Sequence, residues 1–196
     1  MRPRIVFPSC PEAGRGRRER LADGTEVGIR SLEPADREAL TDLYGRLGQH
    51  SRYQRFFACP PRLPASWVDA LLDLSPERRL GLVAEPVADP GRIVALADYT
   101  VCPEGARAEV GLVVEDSWQQ RGLGRVLFER LLAVGESRGL RSFVAFVHCS
   151  NVRAIRGLAS VATIVDRTAD AGVVQFTFTK SRGAWPFDAP ARKGAV

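Results

Sequence analysis

The sequence predicts a single-domain α/β fold: a mixed central sheet of about six to seven strands flanked by about four helices. Three features carry that expectation. The apolar spacing switches from helical to strand period near residue 80 and back near 122. A Pro/Gly turn at 103–105 joins two apolar runs of strand length. One long amphipathic segment then stands between strands, where a crossover helix would lie.

Residues 1–20 carry Gly, Pro and Arg without an apolar period. They read as a disordered basic arm before a domain at 21–180, with a tail at 181–196. Residues 26–30 form a short first strand. Pro34 sits where the first turn of a helix accepts proline, and Leu40, Leu43, Tyr44 and Leu47 recur at helical spacing, predicting a helix over 34–47. After residues 51–57 and a Pro-rich turn, Trp67, Val68, Leu71 and Leu72 mark a second helix. Then come strands at 80–85, 92–101 and 108–114, the last two a hairpin about Pro103-Glu104-Gly105. A polar loop at 115–121 leads into a helix over 122–138. Its stripe of Leu123, Val126, Leu127, Leu131 and Val134 ends at Gly139. Residues 142–147 are a buried strand, parallel to its predecessor if the helix is a crossover. Ser150 is the expected cap of a helix over 151–159. A last hairpin, 162–167 with 173–180, turns at Asp170-Ala171-Gly172.

Composition narrows the function. Of 196 residues, 45% are hydrophobic and 26% charged, the balance of a globular chain able to build a core without a metal or disulfide. The net charge of +5 sits in the ends: residues 1–20 carry +4 and residues 181–196 carry +2, leaving the body at −1. A basic body is what a nucleic-acid binder needs, so that class is set aside. No apolar run reaches membrane-spanning length, and the run at Ile5-Val6-Phe7 is too short for a secretory signal. The expectation is a cytoplasmic protein with no membrane partner, monomeric or homodimeric. Cys10, Cys59, Cys102 and Cys149 lack metal-ligand spacing, and the only histidines are His50 and His148, so no metal is expected. Cys149 beside His148 does not make a thiol dyad, because neighbours on a strand point to opposite faces.

The chemistry lies in Val113-Val114-Glu115-Asp116-Ser117-Trp118-Gln119-Gln120-Arg121-Gly122-Leu123-Gly124-Arg125. A strand ends, a loop turns, and glycines open the longest helix. The free N–H groups and positive dipole of such a helix start suit phosphate oxygens. Gly122 and Gly124 clear side chains from a close approach, and Arg121 and Arg125 add charge. No Gly-Lys-Ser/Thr follows, and the spacing is not GxGxxG, so triphosphate and dinucleotide loops are excluded. The plain alternative is a tight strand-to-helix turn.

Gln119-Gln120-Arg121-Gly122-Leu123-Gly124 resembles the Q/R-x-x-G-x-G/A signature of the GNAT superfamily of acetyl-CoA-dependent N-acetyltransferases, over roughly residues 24–180. The resemblance implies acetyl-CoA as cosubstrate. It places Leu112, Val113 and Val114 along the pantetheine arm, with Asn151 on its far side. Gln120, Arg121, Gly122, Leu123, Gly124 and Arg125 fall on the phosphates. Ser51-Arg52-Tyr53-Gln54-Arg55-Phe56-Phe57 and Ala108-Glu109-Val110 are similar to stretches of the bacterial protein-lysine acetyltransferase branch. That similarity implies Glu109 as general base and brings Arg52, Tyr53 and Phe57 to the acceptor. The alternatives are a solvated Glu109 and a packing role for the other three.

An alkylammonium of pKa ~10.4 must lose a proton before it attacks a thioester, which a carboxylate beside it can accept. A strand N–H near Val113 is the expected oxyanion donor, and Gly111 leaves space beside Glu109 for the amine. Two family features are missing. No Tyr follows Asn151 to protonate the leaving thiolate, since Tyr occurs only at 44, 53 and 99, and Ala159-Ser160-Val161-Ala162 replaces the usual Leu-Gly-Phe. The leading function is acetyl transfer to a primary amine, with protein lysine as first acceptor. A small-molecule amine acetyltransferase and a weakly catalytic acyl-CoA sensor stand as alternatives.

Overall fold

The computed structural model describes residues 17–73, 75 and 77–181. The remaining residues of the expected arm and tail, 1–16 and 182–196, lie outside that range. Arg17–Arg20 form strand β1, antiparallel to β2, Glu26–Ser31, so four residues assigned to the arm are an edge strand of the sheet. Pro34–Asp36 is a 3-10 turn leading into α1, Arg37–Arg46. Residues 51–57, unassigned from sequence, fall largely in a helix of their own, α2, Gln49–Phe56; α3 is Ala65–Leu72.

Next come β3, Arg79–Pro86, β4, Ala95–Val101, and β5, Arg107–Val114. The long helix α4 spans Leu123–Ser137 and is followed by β6, Ser142–His148, and α5, Val152–Val161. The hairpin β7, Ala162–Asp170, and β8, Val173–Lys180, closes the described chain. Among the described residues, eight strands and five helices exceed the expected counts by β1 and α2 within the same architecture.

The strands form one sheet in the order β1-β2-β3-β4-β5-β6-β8-β7, antiparallel except for β5 and β6. That parallel pair requires a crossover, which α4 supplies. The sheet is covered on both faces. Leu123, Leu127, Leu131 and Leu132 of α4 bury against Phe143, Phe178 and Tyr99 on one side. On the other, Leu40, Leu43 and Leu47 pack with Val83, Leu96 and Val113. Each such leucine taken out of water contributes roughly 1.5–3 kcal/mol, which is why the helical stripes read from sequence survive as packing.

Among the described residues no helix is long and apolar enough to cross a membrane, and no cluster of His, Cys, Asp and Glu could hold a metal ion.

Candidate active site

The site begins where the parallel pair fails. β5 and β6 stay in register only for Arg107, Ala108 and Glu109 against Ser142, Phe143 and Val144. Beyond that point β5 runs on to Val114 beside a cleft of about 890 Å³. The cleft reaches Glu109 at one end and Gln120, Gly122 and Gly124 at the other.

Strand register decides which backbone groups face the opening. Cys102 N–H donates to Arg107 O, and Glu115 N–H donates to Val94 O. In antiparallel pairing this turns the main-chain groups of residues 107, 109, 111, 113 and 115 toward β4. Those of Leu112 and Val114 therefore face the cleft. Val113 also lines the cleft, but its N–H turns to β4 and its side chain packs on the α1 face. Near Val113, the N–H groups that turn toward the cleft are therefore those of Leu112 and Val114.

Side chains alternate between the two faces along β5. Leu112 and Val114 pack toward α4, whereas Glu109, Gly111 and Val113 look toward α1 and α2. Gly111 does not make room for an amine, however. A Cβ there would stand 2.5 Å from Cζ and 2.9 Å from Nη1 of Arg55, so the space belongs to that guanidinium. Arg55 pairs with Asp98, which lies directly across from Gly111 on β4 and is only 8% exposed. Glu109, across from Thr100, is exposed and lines the cleft one step along the same face.

The loop at the other end is held by its acidic residues. Glu115 is buried and accepts from Arg46 at 2.9 Å, Arg92 at 2.8 Å and Ser117 at 2.9 Å. Burial pushes its carboxyl up, but the hydrogen bonds from Arg46 and Ser117, with the Arg46 and Arg92 charges, hold it below the usual range. Asp116 accepts from Gly48 N–H at 2.9 Å and the Ser51 hydroxyl at 2.7 Å. Against the upward push of burial, these bonds keep it low as well. Together the two carboxylates tie α1 and α2 to the end of β5, and so set the width of the cleft.

Beyond them, Gln119 donates to Val114 O at 3.0 Å and Ser51 Oγ at 3.2 Å, and accepts from Arg153 at 2.6 Å. Gln120 adopts φ 64° and Gly122 φ 87°, a left-handed turn that starts α4. No side chain caps that helix, so its first N–H groups have no such partner. A Cβ on Gly124 would come 3.3 Å from Val114 Cγ2, so this glycine lets the helix start lie against β5. An uncapped helix start, a bare strand edge and a long cleft fit an anionic group followed by an extended amide-bearing arm.

Several expected residues sit elsewhere. The Arg121 guanidinium lies 5.0 Å from the centroid of the Trp118 ring and 3.2 Å from Asp23, and Leu123 is buried in the core; only their backbones belong to the loop. Arg125 lines the cleft and pairs with Glu129 at 3.0 Å. Asn151, not Ser150, caps α5, accepting from Ala154 N–H at 3.0 Å, and it also lines the cleft. Arg52 points away from the cleft. It donates to the carbonyls of Tyr44 and Gly45 at 3.1 and 2.9 Å and stacks on Tyr44, closing the end of α1. Tyr53 meets His148 edge-on with centroids 5.6 Å apart. Of the three acceptor candidates only Phe57 lines the cleft.

Ser51, Gln54 and Arg55 line it instead, and a helical reading of residues 49–56 would have found them, since positions i, i+3 and i+4 share a face. Arg153 of α5 was also missed; its signal is a cation on the helix face that carries Gly157 and Leu158 into the cleft.

Comparison with known proteins agrees with this geometry. Residues 38–158 match the model of the acetyltransferase (GNAT) family. The fold is similar to the GNAT domain of S. lividans PAT, at 31% identity and a TM-score of 0.76, covering 83% of this chain and 96% of that one. It also resembles yncA from Salmonella typhimurium, solved with its cofactor acetyl-CoA, at 22% identity and TM-score 0.61 over 84% of this chain and 99% of that one. A third similar structure is spermidine N-acetyltransferase from Vibrio cholerae with CoA and spermine, at 14% identity and TM-score 0.62, covering 79% and 95%. The chain belongs to the GNAT family of acetyltransferases. It is an acyltransferase.

Proposed function

We propose that the protein moves an acetyl group from acetyl-CoA to a primary amine, with a protein lysine side chain as the leading acceptor and Glu109 as general base. The observation that carries this reading is the parting of β5 from β6 directly beyond Glu109, which opens one continuous cleft from that carboxylate to the start of α4. The likeness to S. lividans PAT and the S-R-Y-x-R-F-F and Ala-Glu stretches support lysine as acceptor.

Acetyl-CoA supplies the acyl group as a thioester. The N–H groups of the 120–125 segment receive its phosphates, and the Leu112 and Val114 edge pairs with the pantetheine amides. Asn151 stands across the cleft from that edge, with its side-chain oxygen engaged in capping α5. Glu109 accepts the proton of the incoming ammonium, directly or through one water. The Leu112 and Val114 N–H groups, facing no strand, are the donors available to charge building on the acyl oxygen. The cleft-lining residues of α5 include Ala154, Gly157, Leu158 and Val161, and among the described residues no phenol lines the cleft. The thiolate leaves without a dedicated acid, which a thiol pKa near ~8.5 permits.

The test is to incubate the protein and acetyl-CoA with lysine peptides and with small amines while following free thiol. Fastest release with lysine peptides is expected. Faster release with a small polyamine would make the acceptor a metabolite, and tight CoA binding without turnover would make the protein a binding module.

A further inference from the structure

Three arginines line the cleft: Arg55, Arg125 and Arg153. Two are matched by carboxylates, Arg55 by Asp98 and Arg125 by Glu129. Arg153 is not. Its Nη1 donates to the neutral amide oxygen of Gln119 at 2.6 Å, and among the described residues no carboxylate oxygen comes within 4.0 Å of it. Gln119 is itself pinned to Val114 O and Ser51 Oγ, so the Arg153 guanidinium is held from the opposite wall against the loop that opens α4.

The loop needs such a charge. Its backbone N–H groups offer hydrogen bonds but only a partial charge. The Arg121 guanidinium is spent on Asp23 and Trp118. Arg153 is moreover the second residue of α5, in a first turn without any acidic residue, where the helix dipole disfavours a cation. An anion lying between the starts of α4 and α5 offsets that cost. A guanidinium fork also binds phosphate oxygens more strongly than it binds an amide oxygen.

We propose that Arg153 is the cation that neutralises the CoA diphosphate, exchanging the Gln119 amide for phosphate oxygens when the cosubstrate enters. This rests on the reading of residues 120–125 as the phosphate site. It adds a side chain that the signature does not contain, from a helix 28 positions beyond the end of that segment at Arg125.

Calorimetric affinities for CoA and dephospho-CoA, with NMR titration of pantetheine, test it in the full-length protein. Arg153→Gln should weaken CoA and dephospho-CoA alike by roughly ten- to a hundredfold and leave pantetheine unchanged. Arg153→Lys should recover part of the loss. Unchanged CoA affinity overturns the proposal, as does an equal loss for pantetheine, which would mean a distorted cleft. A loss confined to CoA would move the contact to the 3′-phosphate and overturn the diphosphate assignment. Gly124→Glu serves as the separate control: if it leaves CoA affinity intact, the loop itself is misassigned, whatever Arg153 does.

Discussion

On the α4 side of the cleft the groups proposed to bind belong to the backbone: the N–H groups of a left-handed loop and those of Leu112 and Val114. On the α2 side they are side chains held in place by other side chains, with Arg55 locked on Asp98 above Gly111 and Ser51 locked on Asp116. A backbone site needs glycines at fixed spacing, which a sequence displays openly. A side-chain site depends on which residues share a helix face and which strand positions stand opposite each other, and both appear only once the register is known. The two halves should therefore fail independently.

Gly124→Glu should cause the largest change. Its side chain would start 3.3 Å from Val114 Cγ2, pushing the start of α4 off β5 and adding a carboxylate to the proposed phosphate end, so CoA binding by calorimetry should fall below detection. Substituting Gly111 should break the other half. The Cβ of Gly111→Ala would evict the Arg55 guanidinium and leave Asp98 buried without its partner, at a cost of about 3 kcal/mol. Denaturant unfolding should show that loss and turnover should drop, while CoA affinity stays close to wild type. If Gly111→Ala weakens CoA as much as Gly124→Glu does, the halves are one unit and the comparison fails.

A smaller effect follows from the buried carboxylates, two of which, Glu115 and Asp116, tie α1 and α2 to the end of β5. Asp36 is pushed up by burial, but hydrogen bonds from Arg30 and the Glu33 N–H bring its carboxyl below the ordinary value. Glu115 and Asp116 are held low as well. Groups with depressed folded values stabilise the protein above their unfolded pKa values, ~3.9 for Asp and ~4.3 for Glu, and lose that contribution as pH falls through the folded values. The melting temperature should be nearly flat from about pH 7 to 5 and fall below about pH 4. Glu115→Gln should lower it at neutral pH, with a difference from wild type that shrinks in acid. A constant difference down to about pH 2 would mean that Glu115 acts through packing rather than charge.

The legible part of the molecule follows the same division. The stripe of α4, the turn between β4 and β5 and the glycine loop were all readable, because each is a local period or a local conformational demand. The α2 helix was not. Gln49–Phe56 has few apolar residues, and its fold is imposed by Asp116 holding Gly48 and Ser51 from 65 or more positions away. Arg52 and Arg55 look equivalent in the sequence, yet one closes the end of α1 and the other fills the slot above Gly111. β1 escaped notice for a related reason: Arg-Arg-Glu-Arg has no strand pattern, and only its pairing with Glu26–Ser31 makes it one.

Glu109 is the point where the halves meet, exposed in the cleft on the face toward α2 and at the last register pair before β5 and β6 part. The most direct test is steady-state turnover of Glu109→Gln with acetyl-CoA and a lysine peptide, at neutral and alkaline pH. Turnover at pH 7 should fall by roughly 10²–10⁴-fold with acetyl-CoA affinity unchanged. Part of the rate should return at high pH, where more of the amine is already neutral. Wild-type turnover at pH 7 would contradict the assignment and leave the proton to water.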